Sequence, residues 1–341
     1  MSKGSRVLHK VVRYIPATPL RPFGRPVALF FHGVTGHLRD PRIEINHHTA
    51  DAFRRIALQL MQEFQVLPLG ALGDALRKPE RHSRSVFLMA DDGYANTLLA
   101  ADILEESGLP WSLFVSTEHI EAGDLNPLIL ARLFVYFAPA GEYTLPYIAR
   151  PVELQAPDER ARMVPWLLAA LKRLPIAKAR AVAGAIRNAF PAGQLDRLRA
   201  EFDSERYLSW TEVEALHRRG VEIGAHAHWH WPMNDWQSDE ELLLQATLPR
   251  EAIVARFGRC SCFSYPFGND GDVSRRARDA VREAGYAHAF TTFSGTLRPD
   301  CDPWLLPRYA LRATETNLPA LVPLLRLGDA RAARLSRALV T

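Results

Sequence analysis

The feature that most constrains the fold is a run of uncharged residues, Val86–Ala90, that ends abruptly in Asp91-Asp92-Gly93. Five consecutive apolar residues bounded by a turn signal are typical of a strand buried on both faces of a sheet. Loops at strand ends carry much of the chemistry of α/β proteins, so two adjacent carboxylates here form a candidate site. Asp and Gly also favour plain turns, and the pair alone does not decide between the two readings.

Similar uncharged runs recur along the chain and alternate with helical patterns. Val27–Phe31 and Trp111–Val115 predict further buried strands. Thr49 is a suitable cap for a helix with one apolar face, formed by Phe53, Ile56, Ala57, Leu60, Met61 and Phe64. This alternation predicts a largely parallel sheet or barrel. From about residue 118 to residue 206 the pattern is mostly helical, which predicts an inserted helical subdomain or lid.

Composition and charge narrow the possible functions. With 341 residues, 48% hydrophobic and 23% charged, the chain has enough material for one large barrel-type domain. The net charge of +4 is spread without a dense Lys/Arg run, so we do not expect nucleic-acid binding. We predict a basic N-terminal arm over residues 1–25, the main domain over residues 26–312 and a C-terminal helical tail over residues 313–341.

Cysteine usage and the hydrophobic profile bear on the compartment. The three cysteines, Cys260, Cys262 and Cys301, are too sparse for a disulfide framework and fit a reducing environment. The N-terminal stretch has no apolar core of the kind a secretion signal needs, and no run reaches the roughly 18 residues of a membrane span. We therefore expect a cytoplasmic protein whose basic arm is a solvated tail, with peripheral contact at the inner face of the membrane as the alternative.

A second group of candidate ligands follows the strand predicted at Val221–Gly224. His226, His228 and His230 occupy alternate positions, and alternate residues of an extended segment point the same way. Imidazole and carboxylate together are ligands typical of Zn²⁺ and related first-row metals. Three protein ligands would leave one position open for water, as a catalytic site requires. The pattern predicts a divalent metal site that includes His226 and His230.

The order of these motifs resembles that of the polysaccharide deacetylases, carbohydrate esterases with a NodB-type domain. Asp91-Asp92-Gly93-Tyr94 resembles their first motif, T-F-D-D-G, and His226–His230 resembles the second, H-[ST]-x-x-H. Phe263–Gly268 is similar to the third, in the variant F-[AS]-Y-P-[FY]-G. The resemblance covers roughly Pro26–Leu311 apart from the helical insertion. It implies a distorted (β/α) barrel with about seven strands.

The resemblance also implies roles for individual residues. The metal, most commonly zinc in this family, would be held by Asp92, His226 and His230, while Asp91 would act as the general base. A metal lowers the pKa of water and polarises the amide carbonyl, and a carboxylate beside it can take the proton as attack occurs. The backbone N–H of Phe267 would stabilise the oxyanion. The candidate substrate contacts are Tyr94, Trp229, Tyr265 and Arg308.

Three departures from the family pattern stand out. Ala227 replaces the Ser or Thr that braces the loop of the second motif, so this loop needs other support. Ser264 stands where many members have an Arg that orients the base. The general-acid motif L-x-x-H is absent near the C-terminus, and Arg308, which lies in that region, cannot act as an acid at neutral pH. The first candidate to replace the acid is His228, followed by His32 and His288.

The sequence thus predicts a metal-dependent hydrolase that removes an acetyl or other N-acyl group from an amino sugar. In the cytoplasm, the expected partner is a glycan precursor, lipid-linked or nucleotide-linked, rather than a mature polysaccharide. His226-Ala227-His228 is also an H-x-H pattern of amidohydrolases, but there it ends the first strand, whereas here it comes late. The other alternative is a carbohydrate-binding protein that keeps the fold without activity, which the missing acid and the Ser264 change would favour.

Overall fold

The uncharged runs form the strands of a curled parallel sheet in a computed structural model, which describes residues 24–312 and 317–340. The strands are β1 (Val27–Phe31), β2 (Gly33–Thr35), β3 (His47–Thr49), β4 (Gln65–Leu67), β5 (Ser85–Ala90), β6 (Ser112–Val115), β7 (Gly141–Tyr143), β8 (Val152–Leu154), β9 (Glu222–Ala225), β10 (Cys262–Ser264), β11 (His288–Phe290) and β12 (Tyr309–Ala310). The main sheet has the order β11-β10-β9-β6-β5-β1-β12, and β4 pairs with β5. The predicted distorted barrel with about seven strands is confirmed.

The sheet curls until its two edges meet at one short segment. Phe290 of β11 forms a parallel bridge with Leu306. Three residues later, Tyr309 of β12 pairs with Leu29 of β1. The segment from residue 306 to residue 310 therefore touches both edges, so a side chain that it directs inward lies inside the barrel.

The helices either cover the outside of the sheet or belong to the insertion between β6 and β9. They are α1 (Ala50–Glu63), α2 (Leu72–Arg77), α3 (Thr97–Glu106), α4 (Thr117–Ala122), α5 (Pro127–Phe137), α6 (Pro157–Leu171), α7 (Ile176–Asn188), α8 (Gln194–Glu201), α9 (Trp210–Arg218), α10 (Asp239–Phe257), α11 (Arg275–Glu283), α12 (Leu318–Leu324) and α13 (Asp329–Val340). Thr49 caps α1 as expected, its side chain accepting a hydrogen bond from the Ala52 N–H. Among the described residues, no helix combines the length and apolar character needed to cross a membrane.

The strands β1, β5 and β6 lack charges because both of their faces are buried. One face packs against the helices, and the other packs into the barrel interior around Phe30, Phe87, Met89 and Phe114. Each fully buried side chain of this size contributes about 1.5–3 kcal/mol relative to exposure. For this reason, the strands of a parallel sheet that is covered on both faces appear in the sequence as continuous apolar runs.

The segment between β6 and β9 builds a second core beside the barrel. Helices α5, α6 and α7 pack around Phe134, Leu167 and Val182. A short antiparallel hairpin of β7 and β8 interrupts the helices. The same core includes Tyr94 and Trp231 from the barrel loops, so the insertion lies against the carboxyl ends of the strands. The domain boundaries stay predictions, and the proposed N-terminal arm falls largely outside the described residues.

Candidate metal centre and buried base

Asp92, His226 and His230, which we call the metal triad, meet at the carboxyl ends of β5 and β9. Oδ1 of Asp92 lies 3.0 Å from Nε2 of His226 and 2.8 Å from Nε2 of His230. All three side chains are buried, and one ligand atom from each lies within 4.8 Å of the others. In residues 24–312 and 317–340, this is the cluster with the spacing needed to hold a metal ion.

The surroundings of Asp92 and His226 fit a cation. Oδ1 of Asp92 is buried without a well-formed hydrogen bond. Nδ1 of His226 lies 2.8 Å from the carbonyl oxygen of Ser264, which can only accept, so Nδ1 carries the proton and Nε2 offers its lone pair. Burial acts to raise the pKa of Asp92, but the neighbouring imidazoles of His230, His32 and His226 hold it well below its usual value. An ionised carboxylate oxygen and an imidazole nitrogen thus converge on one point.

The backbone around the triad is strained. Asp92, Ala227, His230 and Phe267 have φ values of 75°, 60°, 48° and 61°, in the left-handed region that favours glycine. Each such residue costs on the order of 1–3 kcal/mol and persists only where the surrounding structure enforces it. Strain concentrated in three separate loops around one point is typical of a functional site.

The loop of the second motif is braced by residues other than the missing Ser or Thr at position 227. The Ser116 hydroxyl donates to the carbonyl oxygen of His226 at 2.7 Å. The backbone N–H of His228 donates to the carbonyl oxygen of Gln245 at 3.2 Å. The loop is therefore held from the end of β6 and from α10, which explains how Ala227 is tolerated.

Asp91 is held by Arg308 in an arrangement that we call the Asp91 fork. Nη1 and Nη2 of Arg308 donate to Oδ1 and Oδ2 of Asp91 at 2.9 and 2.8 Å. Nη2 also donates to the Ser264 hydroxyl at 2.7 Å, and this hydroxyl donates to Asp91 Oδ2 at 3.3 Å. A two-pronged pair of this kind fixes both the position and the plane of the carboxylate.

The prediction that Arg308 contacts substrate is wrong. Its side chain is 0% exposed and lies inside the barrel, with the guanidinium carbon 4.2 Å from the centroid of the Phe30 ring. A buried cation needs a buried counter-charge, and Asp91 supplies it. Burial acts to raise the pKa of Asp91, but the charge and hydrogen bonds of Arg308, together with the charges of His226 and His32, hold that pKa below its usual value. Arg308 thus orients the base, the role left open by Ser264.

The other predicted substrate contacts differ in accessibility. Tyr265 is 0% exposed and packs edge-on against Phe263. Because a fully buried side chain cannot touch a substrate, the prediction that Tyr265 contacts substrate is wrong. Tyr94 is stacked under Tyr207, with ring centroids 5.2 Å apart. Trp229 keeps 9% of its surface exposed beneath Arg180. For Tyr94 and Trp229, substrate contact stays a prediction.

The three candidate acids lie in different places. Nδ1 of His228 is 2.7 Å from the Thr117 hydroxyl, and burial lowers its pKa to about 4. His288 begins β11, at the end opposite the triad. His32 follows β1, next to Phe31, whose carbonyl oxygen accepts from the Asp91 N–H at 3.0 Å. Burial lowers the pKa of His32, and the charges of Asp92 and Asp91 oppose this. Of these candidates, His32 is the one placed beside both carboxylates.

Phe267 has the free donor that an oxyanion site needs. Its N–H makes no hydrogen bond within the part of the chain that the structure describes, while its carbonyl oxygen accepts from the Thr292 hydroxyl at 2.8 Å. Its ring lies 5.0 Å from that of His230, measured between centroids. The oxyanion role stays a prediction with a suitable location.

Two site residues have no signal in the sequence motifs. Nδ2 of Asn126 lies 2.8 Å from Nδ1 of His230, and Oδ1 of the same amide caps α5 by accepting from the Leu128 N–H at 2.8 Å. His119 lies 6.4 Å from His230 between ring centroids, and its Nε2 is buried without a partner among the described residues. Asn126-Pro127 marks a helix start in the sequence, but nothing local links it to a histidine 104 residues away.

A comparison with models of protein families finds one match. The model described as "Polysaccharide deacetylase" covers residues 78–289, which include Asp91, the metal triad and Phe267. Arg308 lies beyond the matched region. No curated protein matches the sequence.

Several solved structures share the fold. IcaB from Ammonifex degensii is 14% identical with a TM-score of 0.53, covering 88% of this chain and 97% of that one. A de-N-acetylase from Aggregatibacter actinomycetemcomitans is 15% identical with a TM-score of 0.50, covering 85% and 96%. The deacetylase PplD from Streptococcus pyogenes, solved with acetate, is 13% identical with a TM-score of 0.50, covering 87% and 95%. At this identity the likeness establishes the barrel fold.

Proposed function

Because this chain belongs to the polysaccharide deacetylase family, we propose that it is a metal-dependent hydrolase that removes the acetyl group from an N-acetylated amino sugar. The observation that carries the proposal is the metal triad beside an ionised, firmly oriented Asp91. One argument for a binding protein without activity was that Ser264 replaces the Arg that orients the base in many family members. Arg308 supplies this cation here, so that argument no longer holds. The amidohydrolase alternative places its H-x-H on the first strand, whereas His226 follows β9.

The ion would be held by the Asp92 carboxylate and by the Nε2 atoms of His226 and His230. Two imidazoles and one carboxylate are a set that suits Zn²⁺ and leaves room for further ligands. When bound, a divalent cation here supplies Lewis acidity, which favours ionisation of water and polarises the amide carbonyl. The Ser264 carbonyl keeps His226 in the tautomer that this role requires.

The protein's own residues account for the proton transfers. Asp91 accepts a proton from the attacking water as the new C–O bond forms at the amide carbon. The Phe267 N–H donates to the oxygen on which negative charge develops. His32 donates a proton to the nitrogen as the C–N bond breaks, which releases acetate and a free amino sugar. The Asp91 fork holds the base in one orientation throughout.

We place the protein in the cytoplasm, with a glycan precursor as its substrate. The described cysteines are all free thiols, which supports a reducing compartment. Cell fractionation tests this proposal, and recovery of the protein only outside the cytoplasm would overturn it.

The function is tested by measuring bound metal and acetate release together. We expect the purified protein to contain zinc and to release acetate from oligomers of N-acetylglucosamine or from their lipid-linked or nucleotide-linked precursors. Chelation should abolish the release, and Zn²⁺ should restore it. A zinc-loaded, folded protein that releases no acetate from any N-acetylated sugar would contradict the proposal and favour the binding-protein alternative.

A further inference from the structure

The helical insertion rejoins the barrel beside the loop that carries Asp92. The Leu208 N–H donates to the carbonyl oxygen of Gly93 at 2.8 Å. In the opposite direction, the Ala95 N–H donates to the carbonyl oxygen of Arg206 at 2.7 Å. These two hydrogen bonds form an isolated antiparallel bridge. The chain that returns from the insertion is therefore bonded to the residues that directly follow Asp92.

The backbone next to this bridge is strained. Asp92 and Gly93 have φ values of 75° and 85°, so two consecutive residues lie in the left-handed region. Glycine adopts this conformation without a steric penalty, whereas an aspartate adopts it only where the surrounding structure enforces it. The bridge supplies such a restraint directly after the strained pair.

The ring of Tyr207 links this loop to another part of the metal triad. It stacks with the Tyr94 ring, with centroids 5.2 Å apart, and with the imidazole of His119 on α4, with centroids 4.6 Å apart. The His119 ring in turn lies 6.4 Å from that of His230. The Tyr207 hydroxyl is buried without a well-formed hydrogen bond, so the contacts of this side chain are those of its ring. A continuous row of rings thus runs from the loop after Asp92 to the ligand His230.

A buried polar network also anchors the returning chain. Oε1 of Glu205 lies 2.9 Å from Nε2 of His47, and these side chains are 4% and 1% exposed. Nδ1 of His47 lies 3.1 Å from Nδ2 of Asn96. Because an amide nitrogen can only donate, Nδ1 of His47 accepts and Nε2 carries the proton that Glu205 receives. Tyr207 is therefore held in place by contacts that do not involve the metal triad.

We propose that Tyr207 is a positioning residue for the metal triad, whose bridge and stacked ring hold Asp92 and His230 at the spacing that a metal ion requires. The inference rests on the proposed function, because it concerns the ligands of that same metal site. The two ligands come from separate loops, after β5 and β9, so the metal-free site keeps their spacing only if both loops are braced. The helical insertion thereby gains a role in preparing the site for its metal.

Zinc affinity tests this role. Tyr207→Leu keeps an apolar side chain at the same position but removes the stacked ring. We expect it to weaken zinc binding by the full-length protein about tenfold or more, as is typical when a group that supports metal ligands is lost. Competition with a chromophoric chelator measures the dissociation constant. Tyr207→Phe keeps the ring and should therefore retain the zinc affinity of the wild type.

A second variant interrupts the same row of rings from the other side. His119→Leu removes the ring that lies between Tyr207 and His230. It should weaken zinc binding to a similar degree, and it tests the role if Tyr207→Leu fails to fold. Zinc affinity equal to that of the wild type in folded His119→Leu would contradict the positioning of His230 by this row.

Phe202→Leu is the matched control for the loss of a buried ring. Phe202 is 2% exposed, belongs to the same core of the insertion and packs on Phe137, with ring centroids 5.6 Å apart. Its loss should lower the stability of the metal-free protein to urea by an amount similar to that of Tyr207→Leu, since both remove a buried ring. Zinc affinity should nevertheless stay unchanged in Phe202→Leu.

Hydrogen exchange gives a readout that needs no metal. In the zinc-free wild type, the amides of Ala95 and Leu208 should be protected, because both donate across the bridge. In Tyr207→Leu their exchange should become about tenfold or more faster, as the local opening of the bridge becomes easier. In Phe202→Leu it should not change. Equal exchange in Tyr207→Leu and the wild type would show that the ring does not hold the loop.

The outcomes separate this inference from the proposed function. Wild-type zinc affinity in folded Tyr207→Leu, or an equal loss of zinc affinity in Tyr207→Leu and Phe202→Leu, would overturn the positioning role. Zinc affinity that depends on the ring, in a protein that releases no acetate, would support the positioning role and contradict the deacetylase. Acetate release with a zinc affinity independent of the ring would do the reverse. A wild type that binds no zinc would contradict both.

Discussion

Asp91 and Asp92 are neighbours in the sequence, yet their carboxylates face different partners. Asp91 faces the guanidinium of Arg308, whereas Asp92 faces two imidazoles. Both side chains are almost fully buried. In the Asp91 fork, each carboxylate oxygen receives a hydrogen bond from Arg308. In the metal triad, Oδ1 of Asp92 faces two imidazole nitrogens and has no well-formed hydrogen bond.

The difference shows how one buried pair of like residues can serve two roles. The Asp91 fork already contains its cation, so the site needs no ion there and Asp91 remains a base of fixed orientation. The metal triad has no permanent cation, so it can take one from solution. Removing either partner of the fork should therefore damage orientation and stability, whereas changing the triad should damage metal binding.

The largest effect should come from the base. Asp91→Asn keeps the shape of the side chain and one oxygen for Arg308, but it cannot accept a proton from water. We expect kcat/KM for acetate release to fall by about 10²–10⁴-fold, the usual contribution of a general base. Full activity in this variant would show that another group takes the proton.

Breaking the fork from its other side should affect stability and pH dependence. Arg308→Met leaves a buried, uncompensated carboxylate, so the free energy of unfolding should fall by about 3–5 kcal/mol. Arg308 lowers the folded-state pKa of Asp91, so its stabilisation is present above the unfolded pKa of about 3.9 and is lost as pH falls through the folded-state value. The stability gap between wild type and variant, measured by urea unfolding, should thus narrow in acid.

Activity gives a second readout of the same pair. In Arg308→Lys, the positive charge stays but the two-pronged geometry is lost. The pKa of Asp91 should then rise, and the acid limb of the kcat/KM–pH profile should move to higher pH. A profile identical to that of the wild type would mean that Arg308 contributes packing alone.

A smaller effect is expected at the edge of the metal triad. Asn126→Ala removes the amide next to Nδ1 of His230 and also the cap of α5. Loss of a group that orients a ligand typically lowers metal affinity by about 10–100-fold. Zinc competition with a chromophoric chelator measures this. Asn317→Ala removes the cap of another helix, α12, and serves as a control that should leave zinc affinity unchanged.

The sequence predicts the parts of this molecule whose causes are local. Continuous apolar runs such as Val86–Ala90 report strands buried on both faces, and side chains that follow such strands collect at one edge of a parallel sheet. Asp92, His226 and His230 could therefore be brought together by reasoning about strand ends. Their tautomers could not, because the Ser264 carbonyl that orients His226 lies 38 residues further along the chain.

The pairing of Arg308 with Asp91 could not be predicted from the sequence. The partner of Arg308 lies 217 residues earlier in the chain, and no spacing rule joins the two. One signal was present, since Arg308 is the single charged residue within the otherwise uncharged segment Trp304–Leu311. A charge in a buried strand requires a buried counter-charge. That rule indicates a buried partner for Arg308 but cannot identify Asp91 as that partner without the closure of the barrel.

Asp91 and Asp92 have separate roles, and the metal content of variants tests this division most directly. Bound zinc is measured by atomic emission in folded Asp92→Ala and Asp91→Asn proteins after dialysis against the same zinc buffer. We expect Asp92→Ala to lose both zinc and activity, and Asp91→Asn to keep its zinc while losing activity. Equal zinc loss in both variants, or full zinc retention in Asp92→Ala, would contradict the division of roles.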